Sequence, residues 1–313
     1  MDRVESLLEI AHTAGPDIVA AIHRVQRKVS RLLSKGSFSA FYAFGTIQTR
    51  AMTSFDQDLQ AATGDFPELT DNWSINGIPN GGYIMAVMTR AMMSETDKQA
   101  TPILTASFIN RCSPGPIDLQ TEVVSRSRGF DRIASRLMQD GTERVRMMGT
   151  FAAASTECRM TRYEKPPLQL ASRASCVTLP AFPKYTLYDR MEIRFDPECT
   201  GWMNGSPCER SELKGWIRFR DDRPLDLEAV ILMADSFPPP VFATQGPVAW
   251  VPTLEMTVNV RNPPQGTWLK AAFRTRFVTC GLLESDGELW DEADQLIAIS
   301  RQIAQYRSSS RSS

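Results

Sequence analysis

The chain has 313 residues, of which 42% are hydrophobic and 23% charged, and its formal net charge is −1 at pH 7. This length allows one large domain or two medium ones with an ample core, and the near-neutral charge argues against broad nucleic-acid binding, which needs a basic face. Both histidines of the chain, His12 and His23, stand near the N-terminus, so we expect no histidine zinc site and no Ser-His-Asp triad or Cys-His dyad in the folded body.

The cysteines and the apolar runs bear on the compartment. Six cysteines without a CxxC pair favour reduced thiols over a disulfide framework. No apolar run approaches the roughly 20 residues that span a bilayer. We therefore expect an intracellular, cytoplasmic protein with no stable membrane insertion.

Residues 1–51 differ from the rest and are predicted to be an N-terminal extension, partly helical or mobile. Residues 17–35 have the pattern of a basic amphipathic helix, with Arg24, Arg27 and Arg31 opposite an apolar side. One interpretation is a membrane-surface or targeting helix. The interpretation we favour is a mobile extension, or translation from an upstream start with Met52 beginning the core, because Asp2 and Glu5 do not suit a transit peptide.

Residues 52–154 are predicted to form a first unit. In chain order it holds a strand at 55–59, a helix at 80–93, a strand at 103–111, two strand-like runs joined by Asp140-Gly141, and a closing strand at 146–154. Gly-rich turn signals precede the helix, and apolar residues then recur at helical spacing.

A similar series recurs about 150 residues later, after a linker predicted at 155–184. The second unit, 185–307, is predicted to hold strands at 187–195 and 215–220, a helix at 226–234, a strand at 253–261, a hairpin at Asp286-Gly287 and a closing strand at 295–305, followed by a tail at 308–313. A duplicated unit of one helix and several antiparallel strands would place two helices against one sheet. A ligand site is then expected where the two units meet.

Three segments carry a resemblance to a known family: 73–83 (Trp-Ser-Ile-Asn-Gly-Ile-Pro-Asn-Gly-Gly-Tyr), 215–218 (Gly-Trp-Ile-Arg) and 226–242, which includes Ala-Asp-Ser-Phe-Pro-Pro at 234–239. In these segments the chain resembles the double hot-dog acyl-CoA thioesterases, and the similarity extends over about 55–307. The resemblance implies an α+β double hot-dog fold, an acyl thioester as substrate, and no metal or redox cofactor.

The resemblance to the bacterial acyl-CoA thioesterase II type also implies a water-activating trio of Asp, Thr and Gln. In this sequence these are Asp235 after the second helix, Thr253 at the start of the next strand, and Gln302 in the last strand. The His-rich strand that follows the Thr in the family is Asn-Val-Arg at 259–261 here, which leaves the substrate open.

The chemistry of these three residue types supports the assignment independently. Thioester hydrolysis needs a placed water, a group that accepts its proton, and donors for the developing oxyanion. Burial at the end of an apolar helix would raise the pKa of Asp235 and make it a better base, while a hydroxyl and an amide could hold the water. The alternatives are that Asp235 pairs with an arginine and that Thr253 and Gln302 are ordinary strand residues. Asp226 and Glu255 are spare carboxylates.

The other side of the site is expected at the N-terminus of the first helix. Gly81 and Gly82 would allow a ligand close to free backbone N–H groups, so Gly82 and Tyr83 are the candidate oxyanion donors; a glycine turn that only lets the helix meet the sheet is the alternative. Asn80 is a candidate substrate contact and, more simply, an N-cap. Met85 and Met88 would line an acyl tunnel, or fill the core.

Three function classes stay open at this point. The first is a thioester hydrolase acting on a hydrophobic or polyketide-type acyl group. The second is a hot-dog lyase or isomerase, against which the absence of its usual histidine counts, and the third is a non-catalytic acyl-binding protein. A homodimer is a plausible assembly, because exposed sheet edges often pair.

Overall fold

The computed structural model describes residues 53–153 and 161–308. The predictions for residues 1–51 and for the tail beyond 308 lie outside the described residues. No helix in the described ranges is long and apolar enough to cross a membrane. The helices are α1 (Ser54–Ala62), α2 (Gly81–Met93), α3 (Thr186–Arg190), α4 (Leu227–Met233) and α5 (Phe242–Gln245), with 3-10 turns at Asp71–Trp73, Pro197–Cys199 and Gly201–Asn204.

Most strands belong to one sheet. They are β1 (Ala100–Phe108), β2 (Asp118–Arg126), β3 (Phe130–Gln139), β4 (Thr142–Ala152), β5 (Val177–Thr178), β6 (Met191–Phe195), β7 (Glu212–Phe219), β8 (Thr253–Val260), β9 (Leu269–Arg274), β10 (Val278–Thr279), β11 (Leu282–Trp290) and β12 (Leu296–Gln305). Two-residue strand pairs join Glu68–Leu69 to Gly115–Pro116, Ser74–Ile75 to Ile78–Pro79, and Ala249–Trp250 to Arg307–Ser308.

The order of the sheet joins the two halves of the chain at its centre. It runs β2-β3-β4-β1-β8-β12-β11-β9-β7-β6-β5, with β10 paired to β11. β1 and β8 pair antiparallel, with Ala106 opposite Met256, and each is flanked by the last long strand of its own half, β4 or β12. This symmetry agrees with a duplicated unit, while the boundaries 52–154, 155–184 and 185–307 stay a prediction because the sheet is continuous.

The two core helices begin with side-chain caps. The Tyr83 amide donates to Asn80 Oδ1 at the start of α2, and the Ala229 amide donates to Asp226 Oδ1 at 2.9 Å at the start of α4. Such caps satisfy amides that have no partner inside the helix. Both helices are buried over most of their length and pack against each other and the sheet, which is why their sequences are apolar nearly all round.

The predicted hairpin at Asp286-Gly287 is wrong, because both residues lie inside β11. Gly287 is needed there for packing: a Cβ on it would lie 2.6 Å from the ring of Phe273 and 2.3 Å from Ser300 Oγ. The turn comes instead after β11, where Asp291 Oδ1 accepts the amide of Gln295 at 2.8 Å. The hairpin at Asp140-Gly141 is confirmed.

Two strand predictions are also corrected. The segment 55–59 is helical, because Thr53 caps α1 through the Asp56 amide and Phe55, Leu59 and Ala62 bury one helix face. In 187–195 only the second half is a strand, β6; the first half is the short helix α3. Thr186 anchors α3 by accepting the Ser74 amide at 3.0 Å.

Candidate active site

A cavity of about 980 Å³ opens where the start of α2 meets the end of α4. We call it the junction cavity. Asn80 and Gly81 line it from the first half, and Asp235, Thr253 and Gln302 line it from the second. The structure therefore brings the predicted acid, alcohol and carboxamide to the predicted helix start, as expected for a site between two repeated units.

Asp235 is held by donors from both halves. Its Oδ1 accepts Gln302 Nε2 at 2.8 Å, and its Oδ2 accepts Asn80 Nδ2 and the Gly82 amide, each at 3.0 Å. No salt bridge among the described residues includes Asp235, so the alternative of an arginine partner is wrong.

The environment of Asp235 raises its pKa to about 6, since burial disfavours the charged carboxylate. The hydrogen bonds from Gly82, Gln302 and Asn80 act in the opposite direction and limit the rise. The side chain keeps a partly exposed surface, but this surface belongs to the cavity wall. The carboxyl group is thus poised to exchange a proton near neutral pH.

Thr253 and Gln302 come together through a strand irregularity. Gln302 Nε2 also donates to Thr253 Oγ1. The register between β8 and β12 shifts between Thr253 and Glu255, and an extra residue in one strand moves the following side chains to the other face. The shift turns Thr253 toward the cavity side of the sheet, where Met256 and Val258 are buried.

Gly81 and Gly82 let one helix end touch the other. A Cβ on Gly82 would lie 2.8 Å from the carbonyl oxygen of Leu232 and 2.9 Å from that of Ile231, and a Cβ on Gly81 would lie 2.9 Å from Asp235 Oδ2. Any larger residue would force the two helix ends apart. Gly81 does let α2 meet the sheet, since its Cβ would lie 3.0 Å from the ring of Phe108 on β1, but the contacts of Gly82 are with the end of α4. The glycines therefore do more than let α2 meet the sheet.

The amides predicted to polarise a carbonyl are already engaged. Gly82 donates to Asp235, Tyr83 donates to Asn80 Oδ1 at 3.1 Å, and the Ile84 amide donates to the Asn80 carbonyl. The prediction that Gly82 and Tyr83 offer free oxyanion donors is therefore wrong. In this arrangement Gly82 positions the carboxylate instead.

Three other predicted substrate contacts lie away from the junction cavity. Tyr83 is fully buried, and its hydroxyl accepts the Thr70 amide at 3.4 Å. Met85 and Met88 are also fully buried in the core and line no part of the cavity. α2 is apolar on nearly every side, so helical spacing alone could not tell which side faces a ligand. The prediction of a methionine-lined tunnel is wrong.

The spare carboxylates also lie elsewhere. Asp226 caps α4 and pairs with Arg223, and Glu255 is exposed on β8. Within the described ranges, no group of three or more His, Cys, Asp or Glu residues could hold a metal ion.

Much of the cavity wall was missed by the sequence reasoning. Its apolar part combines aliphatic, proline and aromatic residues, and the aromatic ones include Phe108, Tyr188, Trp202, Phe237, Phe242 and Phe273. Tyr185 and Tyr188 stand three residues apart, a spacing that marks one helix face. That signal was lost because the segment was predicted to be a strand.

Comparison with known proteins agrees with this architecture. Residues 69–152 match the family model of the acyl-CoA thioesterase N-terminal domain, and residues 171–306 match that of the C-terminal domain. No curated protein sequence matches the chain.

Solved structures are similar over most of the chain. A protein of Thermobifida fusca YX, classified provisionally as a thioesterase II, is 25% identical with a TM-score of 0.74, over 82% of this chain and 98% of that one. A hot-dog protein of unknown function from Alicyclobacillus acidocaldarius is 20% identical with a TM-score of 0.74, over 82% and 99%. The TesB protein of Mycobacterium avium subsp. paratuberculosis is 15% identical with a TM-score of 0.65, over 80% and 98%. The fold is thus the α+β double hot-dog predicted from the sequence.

Proposed function

Because this chain belongs to the acyl-CoA thioesterase family and is a thioester hydrolase, we propose that it cleaves acyl-CoA by direct attack of a water molecule that Asp235 activates. The observation that carries the proposal is the position of Asp235. Its carboxylate lines a largely apolar cavity, is held from both halves of the chain, and has a pKa raised to about 6.

Each residue of the trio has a distinct task. Asp235, mostly ionised at pH 7, takes one proton from the water, and the hydroxide equivalent attacks the thioester carbonyl carbon. Gln302 holds Asp235 and Thr253 in place through its amide nitrogen. The Thr253 hydroxyl, which accepts from Gln302, keeps its own proton for orienting the water.

The hydrolysis is balanced in protons and electrons without a cofactor. As the tetrahedral intermediate collapses, the C–S bond breaks and its electron pair leaves with the sulfur of coenzyme A. The proton held by Asp235 passes to that thiolate, which regenerates the carboxylate. The remaining proton of the attacking water stays on the carboxylic acid product and is lost to solvent.

The lining and the volume of the cavity favour a hydrophobic acyl group as substrate, including bulky polyketide-type chains. Its apolar wall favours apolar ligands, and its volume of about 980 Å³ exceeds the needs of an acetyl group. Arg111 and Arg307 line the same cavity and are exposed, so their guanidinium groups can face the phosphates of coenzyme A. A homodimer stays a prediction.

The test is thiol release from acetyl-, hexanoyl-, octanoyl-, palmitoyl- and benzoyl-CoA. We expect Asp235→Asn to lower kcat by about 10³-fold, within the usual range for loss of a general base. Asp189→Asn is the matched control, because Asp189 is exposed on α3 and does not line the cavity. Full activity of Asp235→Asn would show that the base is another group.

The same panel separates the alternative functions. A lyase or isomerase would alter the acyl chain while the thioester stays intact, which mass spectrometry detects. An acyl-binding protein would retain acyl-CoA in equilibrium dialysis without releasing thiol.

A further inference from the structure

The proposed reaction so far lacks a hydrogen-bond donor for the negative charge that develops on the thioester carbonyl oxygen. As water adds to the carbonyl, its oxygen becomes negative, and enzymes stabilise such an oxygen with prepositioned N–H or O–H groups. The amides at the start of α2 are engaged: those of Gly82, Tyr83 and Ile84 donate to Asp235 and Asn80, and that of Gly81 is hydrogen-bonded to Asp235. The donor must therefore come from another part of the cavity wall.

We propose that Tyr188 is a catalytic residue that donates its hydroxyl hydrogen to the thioester carbonyl oxygen in the junction cavity. This inference rests on the proposed hydrolysis of acyl-CoA. Tyr188 lines the same cavity as Asp235 and Gln302, and the residue as a whole is only 6% exposed.

The Tyr188 hydroxyl has no hydrogen-bond partner among the described residues. Tyr83, by contrast, has a bonded hydroxyl. Burial and the charges of Tyr185 and Asp235 raise the pKa of Tyr188, and no hydrogen bond to its hydroxyl contributes to this shift. The hydroxyl oxygen is not among the fully buried side-chain atoms that lack a partner, so it faces the open space of the cavity that Tyr188 lines. A ligand oxygen in the cavity would satisfy it.

The surroundings hold the Tyr188 ring in a defined position. Its backbone carbonyl accepts Arg220 Nε at 3.2 Å. Its ring stacks on Tyr185 with centroids 6.0 Å apart and an angle of 16° between the planes. Thr186, two residues earlier, is bonded to Ser74 and to the carbonyl of Asp71. A donor held in this way needs little reorganisation during the reaction.

The electrostatics keep the phenol protonated. Burial raises the pKa of Tyr188 above its ordinary value of 10, and the negative charge of Asp235 raises it further. Tyr188 and Asp235 line the same cavity. Tyr188 therefore remains a donor throughout the pH range in which Asp235 becomes a base.

Other hydroxyl groups on the wall fit the task less well. The Tyr185 hydroxyl accepts Asn76 Nδ2 at 3.2 Å, and Thr253 is bonded to Gln302. Ser285 lines the cavity opposite Gln302 on β11. A phenol is a more acidic O–H than a serine hydroxyl and so donates more strongly to a developing oxyanion. Ser285 is the rival that the experiment must include.

The kinetic experiment compares Tyr188→Phe, Ser285→Ala and Tyr163→Phe with the wild type. Tyr163 carries a phenol that bonds the Leu296 amide outside the cavity, so Tyr163→Phe is the matched control. We expect Tyr188→Phe to lose about 100-fold in kcat with little change in KM, as for removal of one oxyanion donor, and Tyr163→Phe to stay within threefold of wild type. If Tyr188→Phe also stays within threefold, or if Ser285→Ala alone carries the loss, the proposal is overturned.

Asp235→Asn in the same series tells the two proposals apart. An inactive Asp235→Asn beside a fully active Tyr188→Phe refutes the role of Tyr188 and leaves the hydrolase mechanism standing. A fully active Asp235→Asn refutes the mechanism itself.

An infrared measurement tests the hydrogen bond without turnover. The panel member with the lowest KM, carrying ¹³C at its thioester carbonyl, is bound to Asp235→Asn. The C=O band is expected below its frequency in water, and higher again in the Asp235→Asn, Tyr188→Phe double variant. Should the double variant fail to fold, a band at or above the aqueous frequency in Asp235→Asn alone overturns the proposal.

Discussion

The side-chain nitrogen of Asn80 donates both to the Asp235 carboxylate, at 3.0 Å, and to the Asp235 backbone carbonyl, at 2.8 Å, across 155 residues of chain. Its Oδ1 meanwhile accepts the Tyr83 amide and caps α2. One amide side chain thus starts a helix of the first half and fixes the residue that ends a helix of the second. The geometry of the proposed base depends on both halves of the fold.

The wild-type pH profile is expected to report Asp235. Its folded-state pKa lies near 6, above the ordinary 3.8, and the base must be ionised. We therefore expect kcat/KM to fall about tenfold per pH unit below 6 and to level off above 7. Stability has the opposite sign: a raised pKa favours the folded protein below pH 3.8, and this contribution is lost as the pH rises through 6. A flat profile between pH 5 and 7 would contradict the assignment.

Asn80→Asp is expected to move the acid limb of the kcat/KM profile, where the value falls as the pH decreases, to higher pH. The new carboxylate can still cap α2, but it replaces a donor to Asp235 with a second negative charge, which raises the pKa of Asp235 further. Asn80→Ser keeps a capping oxygen without the charge and should shift the limb less. The measurement is the midpoint of the acid limb of kcat/KM in the three proteins. A larger shift in Asn80→Ser than in Asn80→Asp would rule out the charge effect.

Gly82→Ala is expected to reduce both stability and activity. The added Cβ would meet backbone carbonyl oxygens of α4 at 2.8 and 2.9 Å, so the helix ends must separate and Asp235 must move. We expect a loss of about 1–3 kcal/mol in the free energy of unfolding, as for overpacked sites, together with a lower kcat. Gly129→Ala is the control, since a Cβ there meets nothing within 4 Å. Urea unfolding and thiol release measure the two effects, and equal behaviour of the two variants would refute the close-contact argument.

Met88→Ala is expected to weaken the fold without changing substrate preference. Met88 is fully buried and does not line the junction cavity, so the variant should lose about 2–5 kcal/mol in the free energy of unfolding. Phe237 lines the cavity, and Phe237→Ala should instead alter the ratio of kcat/KM between octanoyl- and palmitoyl-CoA. If Met88→Ala alters that ratio as strongly, the methionine side of α2 does face the acyl chain.

Local sequence signals predicted much of the fold. Helical spacing located both core helices, Asn80 is the N-cap it was predicted to be, and the Asp140-Gly141 turn was confirmed by its positive φ angles of 50° and 71°. Asp226, which the sequence offered only as a spare carboxylate, caps α4. The same Asp-Gly pair at 286–287 does not form a turn, because a turn forms only where neighbouring residues leave space for it. Phe273 packs over Gly287 from a neighbouring strand and holds the backbone extended.

The sequence by itself determined which residue types were available for acid–base chemistry: with both histidines at positions 12 and 23, the rest of the chain offered carboxylates such as Asp235, hydroxyls, amides and backbone groups. Only the tertiary structure decided where those groups point. It directed the Gly82 amide to Asp235, sent Met88 into the core and turned Tyr188 to the cavity. The physical reason is the distance along the chain over which each kind of interaction acts. Periodicity and caps act within a few residues, whereas the orientation of α3 depends on Thr186 meeting Ser74 across 112 residues of chain.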